Sequence, residues 1–324
     1  MARASAYLLV LLVGLLVGME IELPPPPAGE VSQSVLPAGR WFGEPMERWG
    51  EAAPSATPRV QLSDAQVRPG DALWVRVEGA RGASSFSLDT DLSLWEGSLK
   101  PLEKGGAGFL AVDYRTDPGT YSVEVAVSWD SGRVWREVLE LEVVEYEFPV
   151  QRLTVSPSLL AVRSPERARQ DRIHLDRALS ESHPLPLWEG PFIMPTEGRL
   201  TTEFGVIRYI NEVESGRHSG LDIAAPTGTP VVAAARGRVV LAEDLYVLGK
   251  TVILDHGLNL FSWYYHLHDI GVGEGQMVEK GEKIGEVGST GFSTGPHLHW
   301  SVSLERTYIS PWLMMDRAFG PGLD

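Results

Sequence analysis

The sequence predicts an all-β chain, in which an immunoglobulin-like β-sandwich is followed by a second β-sheet domain and the two are joined by a short helical connector. Three observations carry this. From about Arg59 to Phe148, apolar residues recur with a period of two. From about Trp188 onward, β-rich stretches alternate with glycines at short intervals, which suits tight turns. Between these sections, Ser164-Pro165-Glu166 opens a charge-dominated helix.

Taken in order, Arg3 precedes the apolar run AYLLVLLVGLLVGM, Ala6 to Met19. The run suits a signal-peptide core and is short of the roughly 20 residues that span a bilayer. No A-x-A cleavage site follows, so residues 1–22 read as a signal peptide or an N-terminal membrane anchor. Residues 23–57 read as a Pro-rich tether, with Pro24 to Pro27 in polyproline II and with Trp41, Phe42 and Trp49 docking locally.

Residues 58–150 read as the sandwich. In TYSVEVAVSW, Tyr121, Val123, Val125, Val127 and Trp129 share one face, ALWVRV and VLELEVV repeat the alternation, and RPGD and DPGT supply turns. Residues 151–190 form the connector, whose helix runs to about Ser180 on the surface with His174 and His183 in solvent. Residues 191–324 form the last domain, with strands in TPVVAAARGRVVLAEDL, GKTVILDHG and LFSWYYHLHDI.

Composition narrows the function. A net charge of −15 argues against nucleic acid, because phosphate binding needs a basic surface. The absence of cysteine removes thiol nucleophiles, disulfides and Cys-ligated zinc. The 8 histidines are therefore the informative residues. In TGPHLHW, His297 and His299 stand two apart, so on a strand both face one spot. His218 and Asp222 in HSGLD likewise share a face of an extended chain, because Gly220 and Pro226 disfavour a helix. One imidazole and one carboxylate make half of a zinc site. Either His297 or His299 completes three protein ligands, the number expected of catalytic zinc.

Taken together, HSGLDIAAPTGTPVVAAARGRVV, VILDHG, WYYHL and VEKGEKIGEVGSTGFSTGPHLHW resemble the lysostaphin-type (LytM domain) zinc endopeptidases, which cut peptide bonds in bacterial peptidoglycan. The resemblance runs from about Gly198 to Trp312. It implies that His218, Asp222 and His299 bind Zn2+, that His297 is a catalytic histidine, and that His266 is its partner across a cleft. It does not say which of His266 and His297 is the general base. It selects His266 over His268, which becomes a rim residue, and His256 reads as a structural strand-end residue.

The stretch VIRYINEVESGR departs from the family's usual double arginine and glycine-rich loop, which affects one wall of the cleft. Asn211, Glu212 and Glu214 in that stretch are candidates for an inhibitory ligand to zinc. The implied function is a zinc metalloendopeptidase acting on the peptide stems or cross-links of peptidoglycan, exported to the periplasm, envelope or exterior. The competing readings are a LytM-type module that activates another cell-wall hydrolase, and a secreted protease of general proteins.

Overall fold

The computed structural model describes residues 57–316 except 94, 103 and 104. The expected signal or anchor, the tether up to residue 56, and Trp41, Phe42 and Trp49 lie outside the described residues. Among the described residues, no helix is long and apolar enough to cross a membrane. The chain is all-β in class.

The first strands are β1 (Arg59–Leu62), β2 (Gln66–Val67), β3 (Ala72–Glu78), β4 (Ser85–Thr90), β5 (Trp95–Leu102), β6 (Gly105–Val112), β7 (Gly119–Ser128) and β8 (Val134–Val143). They form two four-stranded sheets, ordered β1-β3-β6-β5 and β2-β8-β7-β4. Alternation decides which side chains meet between them: Val75, Val77, Leu110 and Val112 pack with Val123, Val125, Val127 and Leu141.

Strand β6 does more, because all eight of its residues are buried. Its odd positions Phe109 and Ala111 turn away from the first core into a second one shared with Trp188, Phe192 and Phe204. There the Phe109 ring lies 3.8 Å from Trp74 and 6.2 Å from Trp188, centre to centre. Gly70, at φ +90°, lets the backbone close against this seam, where an added Cβ would come within 2.5 Å of the Phe204 ring. Strands β3 and β6 thus share this second core with the later sheet.

The connector comprises β9 (Val150–Leu153), α1 (Pro157–Val162) and α2 (Pro165–Ala178). Helix α2 starts as its sequence dictates, with the Ser164 hydroxyl accepting from Arg167 N–H and Glu166 in the first turn. It is not wholly a surface element, however. Asp171 is buried and accepts from the backbone N–H groups of Tyr246 and Val247 at 2.8 and 2.7 Å. Nor are His174 and His183 fully in solvent: each is half-buried, His174 against Glu243 at 2.5 Å and His183 with its ring nitrogen 2.7 Å from the Leu185 carbonyl.

The remaining elements are β10 (Arg199–Thr202), β11 (Ile207–Ile210), β12 (Val213–Arg217), β13 (Gly220–Ala224), β14 (Pro230–Val232), β15 (Gly237–Leu245), β16 (Gly249–Asp255), β17 (Leu260–Leu267), β18 (Asp269–Ile270), β19 (Met277–Val278), β20 (Lys283–Glu286), β21 (His297–Leu304), β22 (Thr307–Ile309) and α3 (Pro311–Met315). The main sheet runs β10-β13-β21-β17-β16-β15-β19, with β22 also on β21. Two three-stranded sheets flank it, β14-β20-β18 and β12-β11-β9. Strands β17 and β21, at its centre, are buried at every position.

Candidate metal centre

Strands β13 and β21 pair antiparallel, with Asp222 opposite His299 and Ala224 opposite His297. The close pairing depends on Gly220, where a Cβ would sit 2.2 Å from the Trp300 carbonyl oxygen. His218 precedes β13 and is held by a 2.7 Å hydrogen bond from its Nδ1–H to the Glu203 carbonyl. This bond leaves His218 Nε2 as a lone pair, 2.9 Å from Asp222 Oδ1 and 2.9 Å from His299 Nδ1. His299 Nδ1 is 2.7 Å from the same Asp222 oxygen, while its Nε2 meets the Ser301 and Ser219 hydroxyls at 2.8 and 3.1 Å.

All three side chains are buried, so the electrostatics are severe. Burial, reinforced by the nearby Arg208 charge, pushes His218 down to about 3. Burial also lowers His299. For Asp222 burial opposes ionisation, but the Arg208 guanidinium on Oδ2 outweighs it and holds the carboxyl well below the usual range. A neutral His218 therefore aims a lone pair at a carboxylate oxygen 2.9 Å away, with no proton between them. Two buried acceptors face to face are unfavourable unless a cation lies between. Two imidazoles and one carboxylate are also a donor set that zinc accepts.

His297 and His266 border this cluster. The His297 Nδ1–H donates to the Gly295 carbonyl at 2.8 Å, so Nε2 carries the lone pair. That Nε2 is buried without a hydrogen-bond partner, 3.7 Å from Asp222 Oδ1. His266 donates from Nδ1 to the Thr290 carbonyl at 2.8 Å, and its ring centre lies 5.0 Å from that of His297. Its backbone is left-handed at φ +59°, an unfavourable conformation for a residue with a Cβ. The β16–β17 register shifts between Lys250 and Val252, close to the point where His266 N–H instead bonds to the Leu248 carbonyl at 3.1 Å. Burial, then the neighbouring His297 and His299, keep the His266 ring well below its ordinary pKa.

The five residues singled out in the sequence thus come together, and His268, by contrast, is exposed. His256 is buried with both ring nitrogens engaged, by the Arg236 carbonyl and the Ser262 hydroxyl. The expected inhibitory candidates lie elsewhere. Asn211 bonds the Val155 backbone, Glu212 pairs with Arg152 and Glu214 contacts the Tyr209 hydroxyl. What reaches the cluster from that stretch is Arg208, whose Nη2 donates to Asp222 Oδ2 at 2.8 Å. The sequence held a signal for it, since in IRYI the arginine alternates in phase with the buried Ile210.

Residues 216–311 match the model of peptidase family M23. The stretch is similar to the peptidoglycan DD-endopeptidase ShyA of Vibrio cholerae, 42% identical over 85 residues, which are 26% of this chain and 20% of that protein. It is also similar to the DD-carboxypeptidase/endopeptidase Mpg of Neisseria meningitidis, 42% identical over 94 residues, 29% of this chain and 22% of that one. The matches to these two curated relatives thus span about a fifth of their length. A crystal structure described as a putative peptidase M23 from Pseudomonas aeruginosa superposes with a TM-score of 0.54 at 26% identity, covering 78% of this chain and 95% of that one. The similarity to that structure therefore extends beyond the M23 segment into the preceding strands and connector.

Proposed function

We propose that this protein is a zinc-dependent endopeptidase that hydrolyses peptide bonds in the stems or cross-links of bacterial peptidoglycan. The observation that carries the reading is the convergence of His218 Nε2, Asp222 Oδ1 and His299 Nδ1 beside the unpartnered Nε2 of His297. The M23 match and the peptidoglycan endopeptidases among the relatives support the substrate.

His218, Asp222 and His299 would hold the metal. Bound zinc supplies a Lewis acid that polarises the scissile carbonyl and lowers the pKa of water from about 15.7 toward 7. His297 Nε2 accepts a proton from the attacking water, and its Nδ1–H to the Gly295 carbonyl fixes the tautomer for that task. The water oxygen joins the carbonyl carbon, the C–N bond breaks, and His297 returns the proton to the leaving amine. His266, its ring fixed by the Thr290 carbonyl, flanks the reacting carbonyl from the side of His297. The five residues are at most 2% exposed.

The apolar run Ala6 to Met19 would direct export and place the protein at the cell envelope, as a released or membrane-anchored form. The sandwich, tied to the peptidase sheet through Phe109 and Trp188, would serve as a rigid support for it.

The test uses a chain starting at residue 57, loaded with zinc and incubated with purified peptidoglycan, with the released fragments identified by mass spectrometry beside a His297→Ala variant. New peptide termini that vanish in the variant are the expected result. Intact peptidoglycan from protein that binds zinc stoichiometrically would refute the peptidase reading.

A further inference from the structure

Asp222 has two carboxylate oxygens, and the structure uses them differently. Oδ1 lies in the cluster with His218 and His299, while Oδ2 accepts from Arg208 Nη2 at 2.8 Å. The Arg208 side chain is 1% exposed and that of Asp222 is fully buried. On the same edge of the guanidinium, Nε donates to Gln151 Oε1 at 3.0 Å. Gln151 stands directly opposite Arg208 in the parallel pairing of β9 with β11. One planar group therefore bridges a connector side chain and a carboxylate of the candidate metal centre. A lysine, with a single nitrogen, does not reproduce that two-point geometry.

A buried arginine and carboxylate are a poor source of stability, because desolvation offsets much of their attraction. Their arrangement does, however, constrain the carboxylate. With Oδ2 engaged, Asp222 cannot rotate freely and presents Oδ1 alone to the cluster. Resting on the metal-site reading above, we propose that Arg208 is a positioning residue that orients Asp222 for metal binding. Gln151 holds Arg208 in turn, so that connector strand β9 completes the metal centre. Both residues lie outside the 216–311 segment that matches the family.

The experiment measures zinc dissociation constants by competition with a chromogenic chelator, using the full chain, for the unsubstituted protein, Arg208→Lys and Gln151→Leu. The visible spectrum of each Co2+-loaded form is recorded alongside, and far-UV circular dichroism verifies folding. Outer partners of metal ligands commonly set affinity by about 10–100-fold. Arg208→Lys, which keeps the charge and loses the bridge, is expected to weaken zinc binding about tenfold and to change the cobalt d–d bands. Gln151→Leu, which leaves the ion pair intact, is expected to weaken binding about threefold.

A folded Arg208→Lys protein with unchanged affinity and cobalt spectrum would overturn the inference. Should Arg208→Lys fail to fold, unchanged zinc affinity in Gln151→Leu would overturn it. If the unsubstituted protein itself bound no zinc, the metal-site reading would fail and this inference with it. Normal zinc binding with unaffected variants would sink the inference alone.

Discussion

Two buried polar clusters sit in the C-terminal half of this molecule, and they are built differently. Around His256 the ring nitrogens and their neighbours have partners: Nδ1 meets the Arg236 carbonyl at 2.8 Å, Nε2 meets the Ser262 hydroxyl at 2.7 Å, and the Ser262 and Tyr264 hydroxyls lie 3.0 Å apart. Tyr264 in turn accepts from Ala234 N–H at 2.8 Å. Around His218, Asp222 and His299, the lone pair of His218 Nε2 faces the Asp222 Oδ1 carboxylate oxygen at 2.9 Å, and His297 Nε2 has no partner. Both clusters are buried, and burial depresses a histidine in each, to about 4 for His256 and about 3 for His218. Burial and a shifted pKa therefore do not separate function from structure here, but unmet acceptors do.

The sharpest way to break this contrast is to remove a proposed ligand. His218→Ala or Asp222→Ala is expected to weaken zinc binding by more than about a thousandfold, measured by chelator competition, and to abolish peptidoglycan cleavage. His297→Ala should keep the metal and lower the turnover rate by about 10²–10⁴-fold, the usual contribution of a general base. Loss of zinc in that variant would show His297 to be a ligand instead.

The opposite pattern is expected at the satisfied cluster. His256→Ala strands the Ser262 hydroxyl and the Arg236 carbonyl, which should cost about 1–3 kcal/mol of stability in urea unfolding with the zinc affinity unchanged. The last effect concerns pH. His256 is neutral when folded and has its ordinary value near 6.5 when unfolded, so its stabilisation is complete above pH 6.5 and declines as pH falls toward about 4. Within that window the unfolded chain binds up to one more proton, a slope of about 1.4 kcal/mol per pH unit. His256→Asn should flatten the pH dependence by that amount, measured as urea midpoints from pH 7 to 4.5.

Much of this arrangement was legible in the sequence, for local reasons. Period-two alternation marked β3, β7 and β8, and Ser164-Pro165-Glu166 marked the start of α2. The H-x-H spacing placed His297 and His299 on one face, and Gly220 revealed that His218 and Asp222 lie along an extended segment. What escaped depends on partners distant in the chain. The bridge from Gln151 to Arg208 spans 57 positions, and the bond from Tyr246 N–H to Asp171 spans 75. A charged residue buried by such a contact looks in sequence like any solvated one. The same holds for Phe109, which alternation assigns to a face without saying what that face meets.

The central claim is that the unmet acceptors form a zinc site. The most direct measurement is an anomalous difference map at the zinc absorption edge from crystals grown with the metal. The account predicts one strong peak bonded to His218 Nε2, Asp222 Oδ1 and His299 Nδ1, with Arg208 still on Asp222 Oδ2. A featureless cluster in protein saturated with zinc, or a peak at other side chains, would contradict it.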